Sequence, residues 1–116
     1  IRQAYLLLSR SGADCVQSVV ASYWFHPFWI LQEINGRLQP FFQDYIREID
    51  SKRLPQRIYY PIGALRWVKV DMFLKEQKYH RAPRLAMYEL PLERSVDIDT
   101  VEDLEVAKKF SPLVFP

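Results

Sequence analysis

Cys15-Val16-Gln17-Ser18-Val19-Val20-Ala21 carries five apolar residues in seven and places them on both sides of an alternating chain. A strand with both faces apolar belongs in a sheet that is covered above and below. Just upstream, residues 2–11 read as a helix, with Ala4, Leu7 and Leu8 on one side and Gly12 at the position after the C-cap. A helix joined to such a strand by two or three residues is the connection of an α/β fold.

Downstream, Trp29-Ile30-Leu31-Gln32-Glu33-Ile34 and Arg37-Leu38-Gln39-Pro40-Phe41 flank Asn35-Gly36. An Asn-Gly pair between two extended runs predicts a hairpin. Pro40 confines the return strand to an edge or ends its pairing. Phe42, Tyr45, Ile46 and Ile49 recur at helical spacing. Residues 51–61 are polar and basic with two prolines and read as a loop. Gly63-Ala64-Leu65-Arg66-Trp67-Val68 reads as a strand, residues 71–77 as a short helix, and Leu85-Ala86-Met87-Tyr88-Glu89-Leu90 as a strand stopped by Pro91. The last helix starts at Thr100-Val101-Glu102-Asp103, an N-cap with an acid three residues on, followed by the stripe Val101, Leu104 and Ala107. Two helix–strand units with an inserted hairpin predict an α/β fold, the second half of a sandwich.

The chain has 116 residues, 49% of them hydrophobic, so it is one domain or part of one and can fill a core. No stretch approaches the roughly 20 apolar residues of a membrane span, and no membrane partner is expected. The single cysteine, Cys15, excludes an internal disulfide and a CxxC metal site, reads as a buried strand residue, and makes a reducing, cytoplasmic location the expectation. The three glycines, Gly12, Gly36 and Gly63, cannot build a GxGxxG or Walker loop. The opening Ile1-Arg2-Gln3-Ala4 has no initiator Met and no signal-peptide pattern, so the chain is expected to begin inside a longer protein. Residues 37–84 hold eleven Lys/Arg against five Asp/Glu, and residues 85–105 one Arg against seven Asp/Glu. A basic middle beside an acidic stretch suits an anionic substrate with a cation, or two solvated faces that cancel. The adjoining acidic stretch argues against nucleic acid as a partner.

Ser95-Val96-Asp97-Ile98-Asp99-Thr100 is the most informative run. In an extended segment Asp97 and Asp99 point the same way and Ile98 the other, toward the core. Two carboxylates beside a helix start can hold Mg²⁺, with substrate phosphates and water completing the shell. By spacing alone the alternative stands: Asp99 helps to cap the helix and Asp97 is solvated.

The run from Glu93 to Ala107, with its D-I-D-T-x-x-D-L core at residues 97–104, resembles the C-terminal signature of the cytidylyltransferases that make CMP-activated nonulosonic acids, the acylneuraminate cytidylyltransferase family. Three further stretches follow in that family's order. Residues 1–21 resemble its helix and strand, including Ser11-Gly12-Ala13-Asp14 and Ser18-Val19; His26-Pro27 matches an H-P element before a hairpin; Leu54-Pro55 followed by Gly63-Ala64 matches its L-P … N-G-A segment. The resemblance spans nearly the whole chain, and the D-I-D-T run is its specific part. It implies the C-terminal half of a three-layer nucleotide-sugar transferase sandwich, with residues 24–50 as an inserted hairpin that makes a homodimer through Trp29, Ile30, Leu31, Phe41 and Phe42. It implies transfer of CMP from CTP to a 2-keto sugar acid with release of pyrophosphate, and it makes Asp97 and Asp99 ligands of Mg²⁺. The family's N-terminal CTP-binding loop has no counterpart here, so the isolated 116 residues are expected to be inactive.

The chain also departs from the family. Trp29 stands where some members have a sugar-reaching Lys, Ser51 where they have an arginine, and Ile62 where they have the Asn of N-G-A. Arg53 or Lys52 then takes the acid's carboxylate near Gly63, or Arg53 is an exposed loop residue. These departures keep a second reading open, a dimerising module without turnover. His26, before Pro27 and among Tyr23, Trp24, Phe25 and Phe28, reads as packed rather than catalytic. The same aromatics, with no basic residue among them, read as a dimer surface rather than a base-stacking one. An uncovered sheet edge or face near residues 16–20 is expected to leave the isolated chain marginally stable.

Overall fold

The computed structural model describes residues 1–22, 26–42 and 57–114. In order the elements are α1 (Arg2–Arg10), β1 (Cys15–Ala21), β2 (Leu31–Ile34), β3 (Arg37–Pro40), β4 (Tyr59–Val68), α2 (Val70–Glu76), β5 (Leu85–Glu89) and α3 (Val101–Val114). One-turn 3₁₀ helices stand at Pro27–Trp29, Tyr79–Arg81 and Leu92–Arg94. The architecture is mixed α/β, as the sequence predicts. It divides into two units, Ile1–Val20 with Tyr60–Pro116, and Ala21–Tyr59. No described helix is long and apolar enough to cross a membrane.

The first unit is built on a three-stranded sheet in the order β4-β1-β5. β5 lies parallel to β1, from Cys15 opposite Leu85 to Val19 opposite Glu89. β4 runs the other way, since Lys69 N–H donates to Asp14 C=O at 3.0 Å while residues 62–65 lie beside Ser18. α1 packs on one face: Ala4 and Leu8 are buried with Ala13 and Val16, and Leu7, Leu65, Trp67, Ala86 and Tyr88 close around them. Tyr88 O–H donates to Gln3 Oε1 at 2.7 Å, tying β5 to the helix. α1 stops where expected, with Ser11 N–H on Leu7 C=O and Gly12 at φ +70°, a conformation that costs a glycine little.

Cys15 through Val19 are all buried, and burial pushes the Cys15 thiol pKa up. Of the expected uncovered edge or face near residues 16–20, the edge is therefore not there. β4 and β5 take both edges of β1, and the uncovered apolar surface lies instead on β5, where Leu85 is 54% and Met87 51% exposed.

At one end of the sheet Asp14 holds three elements together. Its carboxylate accepts from Arg84 Nη2 at 2.8 Å and Nε at 3.0 Å, and Lys69 Nζ lies at 3.4 Å. Its own N–H donates to Arg84 C=O at 2.8 Å. The Arg84 guanidinium, with Lys69 behind it, lowers the Asp14 pKa from 3.8 to about 2. The folded state thus binds this proton more weakly than the unfolded chain. The contribution is complete above the unfolded value and is lost as pH falls through 3.8 toward 2. Asp14→Asn should be less stable than wild type at neutral pH, and the gap in urea midpoint should close between those two values. A gap that persists unchanged at the acid end would show that the carboxylate charge is not what matters.

In the second unit β2 and β3 form the hairpin that Asn35-Gly36 predicts. Leu31 faces Pro40 and Ile34 faces Arg37, with Asn35 at φ 53° and Gly36 at φ 74°, the two positive values of a type I′ turn. Pro40 does not end the pairing, because Phe41 N–H donates to Ile30 C=O at 2.8 Å. Trp29 and Ile30 are not part of β2: Pro27 starts a 3₁₀ turn whose first free N–H, that of Phe28, is taken by His26 Nδ1 at 3.2 Å. His26 is thus a cap and packing residue, its ring 4.9 Å from that of Phe28. β4 begins at Tyr59, inside what reads as loop, because Tyr59-Tyr60 extends the strand ahead of Pro61. The helical spacing seen in residues 42–49 falls, after Phe42, outside the described residues.

Candidate functional site

The 3₁₀ turn Leu92–Arg94 redirects the chain after β5. Ser95 N–H and Oγ–H both donate to Leu92 C=O, at 3.0 and 2.7 Å. The segment that follows joins no strand, so it has no inner face, and Ile98 is 53% exposed rather than turned into the core. Asp97 and Asp99 are both exposed.

The start of α3 uses other residues. Thr100 Oγ1 accepts from Asp103 N–H at 3.2 Å, and Asp103 Oδ2 accepts from Thr100 N–H at 2.9 Å and Thr100 Oγ1–H at 2.7 Å. Asp99 gives only its backbone N–H to Asp103, at 3.3 Å. These bonds, that of the Thr100 hydroxyl first, lower the Asp103 pKa. The predicted capping box is present with aspartate as its acid, and the Asp99 carboxylate has no part in it. Among the described residues neither Asp97 nor Asp99 accepts a side-chain hydrogen bond or joins an ion pair.

Asp97 meets another candidate. A Cβ on Gly63 would lie 3.6 Å from Asp97 Oδ2, so the carboxylate sits against bare strand backbone. Gly63 and Asp97, far apart in the chain, share one place. Exposed hard oxygen donors with no internal partner suit Mg²⁺, which needs only one or two carboxylates when phosphates and water supply the rest. Among the described residues no three His, Cys, Asp or Glu side chains converge, so a metal cage made of protein alone is not what these residues offer. Lys52 and Arg53 lie outside the described residues.

A second place was not visible in the sequence. Gln17 on β1 is only 5% exposed. Its Nε2 donates to Ile62 C=O at 2.7 Å and Ser18 C=O at 2.9 Å, and its Oε1 accepts from Arg66 Nε. The Arg66 guanidinium lies over the Tyr79 ring, 3.5 Å from its centroid. A cavity of about 320 Å³ opens beside them. The one signal in sequence was a long polar side chain in the middle of a buried strand.

The expected interface residues Trp29, Ile30, Leu31, Phe41 and Phe42 are all exposed, and the Phe41 and Phe42 rings pack edge to face at 5.0 Å. Ile34 and Leu38 extend the apolar surface of the hairpin.

No protein-family model matches the chain, and no curated protein matches it.

Proposed function

We propose that this chain forms the metal-bearing, C-terminal half of a cytidylyltransferase that transfers CMP from CTP to a 2-keto sugar acid, in a sandwich completed by a CTP-binding part. The observation that carries this reading is the approach of Asp97 to Gly63, with Asp99 left unengaged by the capping box beside it. Asp97 and Asp99 would hold Mg²⁺ against the triphosphate. When bound, the ion neutralises phosphate charge and so eases attack at the α-phosphorus. The sugar's anomeric oxygen bonds to the α-phosphorus as the bond to the bridging oxygen breaks. The hydroxyl proton passes to water, and pyrophosphate leaves. The chain's own part is positioning: the Asp99 backbone N–H is held by Asp103 at the start of α3, and Gly63 leaves room for Asp97 at the strand. With no glycine-rich loop among these residues, they are inactive alone in this reading.

The test is pyrophosphate release by the full-length polypeptide from CTP, Mg²⁺ and N-acetylneuraminate. Release that needs both the sugar acid and the metal supports the reading. No release with any 2-keto sugar acid, from a protein that binds CTP, overturns it in favour of a dimerising module without turnover.

The hairpin supplies the homodimer in the same reading. A lone two-stranded hairpin cannot bury Trp29, Leu31, Leu38 and Phe41, and a second copy can. Sedimentation at micromolar concentration should give twice the chain mass, and Leu38→Asp with Phe41→Asp should give the single mass. A wild-type monomer at that concentration counts against the dimer.

A further inference from the structure

The cavity beside Arg66 lies on the sheet face turned away from α1. Leu65, Trp67, Val16 and Ala86 point to the helix, so their alternating neighbours Arg66, Gln17 and Leu85 point to the other side. Its walls are Ile62, Leu85 and the bare backbone of Gly63, and its polar residues are Gln17, Arg66 and Tyr79. A glutamine buried as deeply as Gln17 is costly unless every polar atom is bonded, and here each is.

Its Oε1 fixes the Nε edge of Arg66, and the Tyr79 ring fixes the face of the same guanidinium. Two independent constraints therefore lock an exposed arginine in place. The edge that remains, the two Nη atoms, has no hydrogen-bond or carboxylate partner among the described residues. That edge is a planar fork with the spacing of a carboxylate's two oxygens. The cavity is at the small end of ligand pockets and mostly apolar, with a few convergent polar groups. A single arginine fork, the one cationic side chain among the residues that line the cavity, suits a monoanionic carboxylate better than a dianionic phosphate.

We propose that Arg66, held by Gln17 and Tyr79, binds the carboxylate of a small organic acid whose body lies in this cavity. The proposal rests on the CMP-transfer reading only for the identity of the acid, a 2-keto sugar acid. It assigns carboxylate recognition to a residue fixed on β4 rather than to Arg53 or Lys52.

The experiment is calorimetric titration of the full-length polypeptide, without CTP or Mg²⁺, with N-acetylneuraminate, its methyl ester and inorganic phosphate. The acid should bind saturably, and the ester and phosphate at least tenfold more weakly. Arg66→Met should cost roughly tenfold to a hundredfold in affinity for the acid, the loss of charge-assisted bonds. Gln17→Leu should weaken the acid as well, because it releases the Nε edge of Arg66. If Arg66→Met does not fold, Arg66→Lys keeps charge and stem but loses the fork, and should still bind measurably more weakly. Equal binding of acid and ester, tighter binding of phosphate, or wild-type affinity in the folded Arg66 variants overturns the assignment. Acid binding without CMP transfer defeats only the reaction. CMP transfer with an unchanged KM for the acid in Arg66→Met defeats only this site.

Discussion

Ser18→Ala should cost about 1–3 kcal/mol of stability, the penalty of leaving one buried backbone group without its partner. Ser18 is fully buried in β1. Its Oγ–H donates to Ile62 C=O at 2.8 Å, and its Oγ accepts from Leu65 N–H at 3.0 Å. The hydroxyl thus stands in for ladder bonds where β4 passes Gly63. Ile62 C=O keeps a second donor, Gln17 Nε2, but Leu65 N–H has no substitute in the alanine variant. For a domain of this size the fall in Tm should be roughly 5–15 °C. Ser18→Thr keeps the hydroxyl and should recover part of the loss. Ser9→Ala is the control: its hydroxyl bonds the carbonyls of Tyr5 and Leu6 on the exposed side of α1, and its loss should change stability by less than about 0.5 kcal/mol. Equal Tm shifts for Ser9→Ala and Ser18→Ala would remove Ser18 from its bridging role.

What could be read from the sequence was local, or was a one-strand property. β1 was legible because apolar residues on both faces need a covered sheet. The hairpin was legible because Asn-Gly accepts two positive φ angles that other pairs resist, and the structure gives 53° and 74°. The capping box was legible because its partners, Thr100 and Asp103, lie within one turn. Ile98 was misread because alternation predicts an inner face only where a strand exists, and the 3₁₀ turn at Leu92–Arg94 had already taken the chain off the sheet. Tyr59-Tyr60 was lost to the loop because Pro61 reads as a break, although an edge strand tolerates a proline.

The site was legible only where one segment supplied it. Asp97 and Asp99 stood out as a pair, but their nearness to Gly63 depends on tertiary folding that spacing cannot express. Gln17 and Arg66 are 49 residues apart, and neither is unusual alone. Their pairing follows from the antiparallel register of β4 on β1. Ser18 was read as one more strand residue for the same reason: its partners are 44 and 47 residues away.

The largest effect expected is on chemistry. If the proposed CMP transfer is this protein's reaction, Asp97→Asn and Asp99→Asn in the full-length polypeptide should each reduce it on the order of a hundredfold or more, as loss of a charge that orients a metal does. Asparagine keeps the size of the side chain and an acceptor oxygen, but it removes the negative charge that holds a hard cation. The substitution also separates metal binding from capping, since Asn and Asp cap helices about equally well. Here the separation is sharper still, because the cap is Thr100 with Asp103 and neither tested carboxylate enters it. Both variants should therefore melt with wild type. Thr100→Ala should do the reverse, losing about 1 kcal/mol of stability through the cap. Its turnover should fall far less than that of either Asn variant. Rising Mg²⁺ should restore part of the activity of Asp97→Asn and Asp99→Asn, because a weakened site fills by mass action. Steady-state turnover across an Mg²⁺ series, beside thermal melts of all three variants, makes the comparison. If both Asn variants turn over like wild type at limiting Mg²⁺, the two aspartates do not hold the metal and the catalytic reading loses its central residues.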